Sequence, residues 1–334
     1  MGVDLHQTGR SVSLPGNGSV APVTISLNAV LRARRTLCSG FYDVVHVHEP
    51  FTPGLPYGLL VGRGLPPLVA TFHRSGVGRL YRAFRPLTGR LVDRIAVCCA
   101  VSESARDTAA AALGGTYAVG FNGVEVSRYR DAAPWPSERP TILFLGRHEE
   151  RKGLGILLAA VTGGSDAVWS AVGRRPRLWI AGDGPQTDAL RRSVPAVADV
   201  EWLGVLSETE KEQRLVAADI LCAPSFGGES FGMVLVEAMA ARTVVVASDI
   251  DGYRQTAGGH AVLVPPGQER ALAEAVSAVL SGAGAVHPDG SGGPKEARQR
   301  WLDEAEARAA GWSMERLAQW YEPHYRTAVA GHSL

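Results

Sequence analysis

Glu229 and Glu237 stand eight residues apart in GGESFGMVLVE (227–237), behind paired glycines and on either side of an apolar stretch. In a helix that separation advances about 12 Å, too far for two carboxyls to share one proton as a catalytic dyad. The spacing suits ligand holding instead. Where a glycine turn opens a helix, the first backbone N–H groups lack intrahelical partners. With the helix dipole they favour an anion such as a diphosphate. Those amides are predicted at Phe231, Gly232, Met233 and Val234, and Gly232 lets the backbone approach closely. Carboxylates accept hydrogen bonds from hydroxyls, so each flank suits an OH-rich ring, a ribose on one side and a sugar on the other. Read alone, Glu229 could equally be a first-turn acid and Glu237 a solvated one.

A basic cluster elsewhere in the chain tips the reading. GRHEERKG (146–153) follows the apolar run TILFLG (141–146), and its Arg147 and Lys152 supply the positive charge a departing diphosphate needs. Basic residues after a strand are usually solvated surface. At a strand's carboxyl end, in the same half of the chain as Glu229, they point to phosphate binding. GDGP (182–185) lacks the third glycine of a dinucleotide turn, which argues against a nicotinamide enzyme.

These residues need a scaffold that presents strand ends. Ten short β-branched runs alternate with helical patterns: 42–48, 67–73, 94–102, 116–122, 141–146, 177–182, 199–204, 219–224, 243–248 and 261–265. Most are continuously apolar, as expected of parallel strands covered on both faces, so the fold class is α/β and doubly wound. DAAPWPSERP (131–140), with three prolines, is the expected interdomain linker, and GAGAVHPDGSGGP (282–294) a surface loop. The chain has 334 residues, enough for two domains, and its net charge of +1 excludes a general pull toward nucleic acid. Cys38, Cys98, Cys99 and Cys222 show no CxxC spacing and are expected as buried thiols. No stretch approaches the ~20 apolar residues that span a bilayer. SLNAVLRARRTLCSG (26–40) reads as a basic amphipathic helix, with Leu27, Val30, Leu31, Leu37 and Cys38 on one side and Arg32 and Arg35 off it. Arg34 adds to its charge. Such helices dock on anionic lipid, although a plain surface helix has the same pattern.

The E-x7-E segment behind a Gly-Gly turn, GR…RKG after a strand, and DVVHVHEP (43–50) together resemble the retaining glycosyltransferases of family 4. FYDVVHVHEP, PLVATFH, LFLGRHEERKG and GGESFGMVLVEAMA are similar, in order, to segments of the actinobacterial phosphatidylinositol α-mannosyltransferases. The likeness runs from about residue 16 to WSMERLAQWYE (312–322). It implies a GT-B fold, two Rossmann-like domains facing a cleft. The first, at 1–133, would be incomplete, the nucleotide-sugar domain would occupy 134–312, and a last helix at 313–334 would return to the first domain.

The resemblance also implies roles. Glu229 would hold the donor sugar's hydroxyls and Glu237 the ribose. Arg147 and Lys152 would neutralise the diphosphate, with Ser230, Phe231, Gly232, Met233 and Val234 lining it. Leu206 and Lys211 would meet the base. His73 would face the donor sugar and donate a hydrogen bond to it, with His46 and His48 as packing residues. Arg32, Arg34 and Arg35 would meet the lipid. The implied reaction moves mannose from GDP-mannose to phosphatidylinositol with retention, in phosphatidylinositol mannoside synthesis. It would take place on the cytoplasmic, inner face of the membrane, with no cofactor required for the chemistry and a divalent cation possible but not indicated. No second carboxylate suggests itself as a nucleophile, so a front-side mechanism fits better than double displacement. The D-x-D of SDIDG (248–252) resembles a family turn rather than a metal site. Another nucleotide sugar and acceptor, or a relative that binds without catalysing, stays open as an alternative.

Two departures from the family pattern carry expectations. Arg242 replaces a glycine after the E-x7-E helix and is expected at positive φ, at a cost of roughly 1 kcal/mol. The family's first strand and glycine-rich turn have no counterpart in residues 1–22, so the first sheet is expected to expose an unpaired edge and the chain to be unstable or poorly active alone.

Overall fold

The structure, a computed structural model, describes residues 12–16, 19–24, 26–76, 91–163, 169–170, 172–173, 175–195, 198–282 and 294–332. Two compact units are formed, Met1–Phe121 with Leu317–Leu334, and Asn122–Arg316. The proline-rich 131–140 stretch falls inside the second. There the Trp135 amide donates to the Gln213 carbonyl and its ring stacks on Arg214. Apart from Gly282 and Pro294, the 282–294 loop lies outside the described residues.

All ten strand runs are found, each shortened at one or both ends. In the first unit, β3 (Val45–His48), β4 (Leu68–Phe72), β5 (Ile95–Ala100) and β6 (Ala118–Val119) form a parallel sheet in that order. β3 therefore stands at its edge. Val47, Ala70, Phe72 and Ile95 pack with helix Glu103–Leu113 and with Leu59 and Leu60 of helix Leu55–Leu60. Val69 and Cys99 pack with Tyr321 and Ala328 of helix Met314–His332. Two further strands, β1 (Val12–Gly16) and β2 (Ser19–Val23), form a separate antiparallel pair, Gly16 opposite Ser19. Neither strand is among the ten expected runs, because the pattern sought at the start of such a fold is a parallel strand leading into a glycine turn. Asn17-Gly18 joining two short runs was the local signal for a hairpin, offset by Pro15 and Pro22 within the runs.

The second unit carries a six-stranded parallel sheet built from β7 (Thr141–Leu145), β8 (Arg177–Ala181), β9 (Val200–Gly204), β10 (Ile220–Ala223), β11 (Val244–Ser248) and β12 (Val262–Val264). Its order is β12-β11-β10-β7-β8-β9, the doubly wound arrangement whose direction reverses between β7 and β10. Ile142, Phe144, Leu178, Ile180, Ile220 and Val246 form the centre of its core. In folds of this kind ligands sit outside the carboxyl ends of the strands at that reversal. The segments leaving β7 and β10 there are GRHEERKG and PSFGGES.

Arg242 has φ +59, and its guanidinium pairs with Asp303 (2.6 Å) and Glu306 (2.8 Å) of helix Pro294–Ala310. Strain and pairing are each worth up to about 1 kcal/mol at a half-buried site. Arg242→Gly is therefore expected to be nearly neutral, while Arg242→Ala keeps the strain, loses the pairs and is destabilised by about 1 kcal/mol. Paired urea melts check this; an alanine variant as stable as wild type would contradict it.

Candidate active site

The turn after β10 uses Gly227 and Gly228 at φ +157 and +74. The helix that follows runs Met233–Ala240, later than the sequence suggested, with Gly232 as its N-cap at φ +75. Only Met233 and Val234 of the expected amides therefore lie in its first turn; Phe231 and Gly232 precede it, and so do Glu229 and Ser230. The delay has a steric cause. Phe231 is buried against Trp312, ring centroids 5.3 Å apart, and its carbonyl accepts from Thr256 Oγ1. A Cβ on Gly232 would come within 2.8 Å of the buried Tyr253 ring.

Glu229 is the hub of an ionic chain. Its Oε1 accepts from Arg151 Nη1 at 2.7 Å and Lys152 Nζ at 2.8 Å. Arg151 Nε also reaches Glu149 Oε2 at 3.1 Å, and Glu149 Oε1 meets Arg147 Nη1 at 3.1 Å. Arg147, Lys152 and Glu229 are thus brought into one network, through two residues the sequence reading passed over. Glu149, 4% exposed, spaces the two guanidiniums, and Arg151 clamps Glu229. Both lie within the motif already singled out, but neither residue type by itself announces an intramolecular partner.

The backbone beneath is tightly fitted. Gly153 (φ +69) approaches Pro224 so closely that a Cβ would sit 2.0 Å from its carbonyl oxygen, and the Phe226 amide donates to the Arg151 carbonyl at 2.8 Å. These contacts fix the post-β7 loop to the post-β10 turn.

Beyond the helix start, Glu237 accepts from Lys211 Nζ at 2.9 Å, and Lys211 also meets Glu208 at 2.9 Å. Ser207 holds Lys211's helix, Glu208–Ala217, by a reciprocal cap with Glu210. Tyr129, missed in the sequence, lies near Glu237, and burial first, then the nearby Glu237, Glu212 and Glu208 carboxylates, raises its hydroxyl pKa well above the ordinary value. Leu206 is half-buried beside the exposed Val205. The D-x-D carboxylates, Asp249 and Asp251, both pair with Arg254 at 2.8 Å. Among the described residues no group of three His, Cys, Asp or Glu could hold a metal.

The remaining sequence candidates belong to the first unit. His73, just past β4, has Nε2 2.8 Å from His48 Nδ1, and its amide donates to Glu49 Oε1 at 2.6 Å. His46 packs as expected. Its ring meets Tyr325 OH (2.8 Å) and Thr71 Oγ1 (2.7 Å), and burial above all lowers its pKa to about 4. His48 is exposed and faces His73, so it is no core residue.

Arg32, Arg34 and Arg35 lie on helix Leu27–Leu37, capped by Ser26. Arg32 and Arg35 are exposed, while Arg34 donates to the Arg63 carbonyl at 2.8 Å. The apolar face differs from expectation. Ala29 is buried and Ala33 and Leu37 pack on the core, whereas Leu27 is 73% and Leu31 44% exposed. Cys38 is exposed too, donating to the Gly64 carbonyl, unlike the buried Cys99 and Cys222. No helix among the described residues is long and apolar enough to cross a membrane.

Two family models match, Glycosyltransferase Family 4 over residues 4–128 and Glycosyl transferases group 1 over residues 139–282. The phosphatidyl-myo-inositol mannosyltransferase of Mycobacterium leprae is 40% identical over 286 residues, covering 81% of this chain and 73% of that protein. That of Mycobacterium tuberculosis is 39% identical over 290 residues, with the same coverage. A glycosyltransferase from Rickettsia africae superposes with a TM-score of 0.70 at 16% identity, covering 91% of this chain and 82% of that one. Fold, motif order and sequence identity agree: the chain is a hexosyltransferase of the GT-B fold and belongs to glycosyltransferase family 4.

Proposed function

We propose that this enzyme transfers mannose from GDP-mannose to phosphatidylinositol with retention of the α configuration. One observation carries the reading: cations and carboxylates alternate around the start of helix Met233–Ala240, at the reversal point of the sheet. The Met233 and Val234 amides and the helix dipole suit the diphosphate. Arg147 and Lys152 would neutralise it as it leaves, Glu229 would accept from the mannose hydroxyls, and Glu237 from the ribose. Lys211 and Leu206, near the Glu237 end, would meet the base. In a front-side transfer the departing phosphate oxygen takes the proton of the acceptor hydroxyl while these donors stabilise the charge it gains. His73 would donate a hydrogen bond to the transferring ring.

For the acceptor, helix Leu27–Leu37 offers exposed Arg32 and Arg35 beside exposed Leu27 and Leu31, and Phe41 is 86% exposed. Apolar side chains among cations suit an anionic bilayer surface, with each cation worth about 1 kcal/mol there. This supports peripheral attachment at the inner leaflet. The single test is titration calorimetry with GDP and with UDP. GDP is expected to bind at least tenfold tighter; tight UDP binding with none for GDP would assign a different donor.

A further inference from the structure

Three imidazoles and a strained glutamate meet at the carboxyl ends of β3 and β4. His46 stacks on His48 with centroids 4.5 Å apart, and His48 lies 5.0 Å from His73. Glu49, which follows His48, is one of two non-glycine residues with positive φ among the described residues, at +51. Residues are kept in such backbone conformations where the surroundings hold them, and these places cluster at functional sites. What Glu49 gains is specific: its Oε1 accepts the His73 backbone N–H at 2.6 Å. The turn that carries His73 is thereby tied to the end of the neighbouring strand.

The ring is tied as well. His48 Nδ1 and His73 Nε2 are 2.8 Å apart, so a single proton lies between them and one ring's tautomer sets the other's. We infer that His48 and Glu49 are positioning residues for His73: His48 donates from Nδ1 to His73 Nε2, fixing the ring and its tautomer, while Glu49 fixes the backbone. A neutral His73 that accepts at Nε2 carries its proton on Nδ1, the tautomer a hydrogen-bond donor from that atom requires. Although His48 is exposed as a residue, the rings packed on its imidazole partly desolvate it and lower its pKa, in keeping with a neutral His48. The inference rests on the reading that His73 contacts the donor sugar.

The experiment pairs steady-state transfer with 15N spectra of the histidine rings in the whole protein. His48→Ala, at an exposed position, is expected to lower kcat about 10–100-fold with donor KM changed less than threefold. The His73 signals should leave the Nδ1–H tautomer. His48→Asn, whose amide nitrogen can stand where Nδ1 does, is expected to restore most of kcat and the tautomer. If His73→Ala abolishes transfer while His48→Ala changes neither kcat nor the tautomer, the inference is wrong and the role of His73 stands. A His73→Ala enzyme as active as wild type removes both.

Discussion

Glu229→Gln is expected to lower kcat/KM for mannosyl transfer by about 10²–10³-fold, the loss seen when one charge-matched contact to a transition state is removed. Oε1 of this carboxylate already takes two cationic donors, Arg151 at 2.7 Å and Lys152 at 2.8 Å. A neutral amide accepts more weakly than a carboxylate, and its nitrogen would be set against a cation if it took the other rotamer. Lys152 and Arg151 would then face each other with their shared counter-charge gone, and the ring hydroxyls would lose their acceptor. The paired side chains are only 12–22% exposed, so the cost to folding is about 1–3 kcal/mol and the protein should melt several degrees below wild type while staying folded at the assay temperature. Initial rates on phosphatidylinositol vesicles, with thermal melts alongside, measure both. Less than a tenfold loss in a fully folded variant removes Glu229 from the chemistry.

Trp179→Ala should have the largest effect on stability, about 3–5 kcal/mol by the usual cost of truncating a buried aromatic residue. Trp179 is wholly buried in β8, and the Arg214 guanidinium carbon lies 4.3 Å above its ring, with the Trp135 ring 4.1 Å away on another side. Arg214 is itself buried; its Nε and Nη1 have no hydrogen-bond partner among the described residues, and only Nη2 reaches Glu201, at 3.4 Å. The aromatic faces therefore do much of the work of solvating a buried cation, and deleting one adds an electrostatic loss to the cavity. Trp135→Ala, at a half-buried ring, should cost only about 1–2 kcal/mol. Urea midpoints at constant slope give both values, and a Trp179→Ala cost under 1.5 kcal/mol would show that the sheet collapses onto the gap.

The sequence reading was strongest where one local rule governs. Continuous runs such as VVVAS and TILFLG have to be covered on both faces, so the parallel sheet of the second unit and its strand ends were legible. So was the positive φ of Arg242. It was weakest where a tertiary partner decides. Periodicity puts Leu27, Val30, Leu31, Leu37 and Cys38 on one helix face, and Leu37 does pack on the core, but Ala29 and Ala33 join it there while Leu27 and Leu31 are left outside. A glycine–glutamate turn reads as a helix mouth. Phe231, anchored by Trp312, delays the helix to Met233, and no spacing rule within the segment contains that contact. The partner of Glu229 was invisible for the same reason: Arg151 and Glu229 lie 78 positions apart.

The chain Arg147–Glu149–Arg151–Glu229–Lys152 holds three cations against two carboxylates and leaves one net positive charge. Free phosphate or an unrelated polyanion meets internal rivals for the same guanidinium and ammonium groups. It can displace them only by stranding a carboxylate in a poorly hydrated place. On the proposed binding mode a sugar nucleotide would escape that penalty, its hydroxyls meeting the acid while its phosphates meet the base. Selection against simpler anions is thus wired into the protein's own counter-ions, and common cellular phosphates should be feeble inhibitors here.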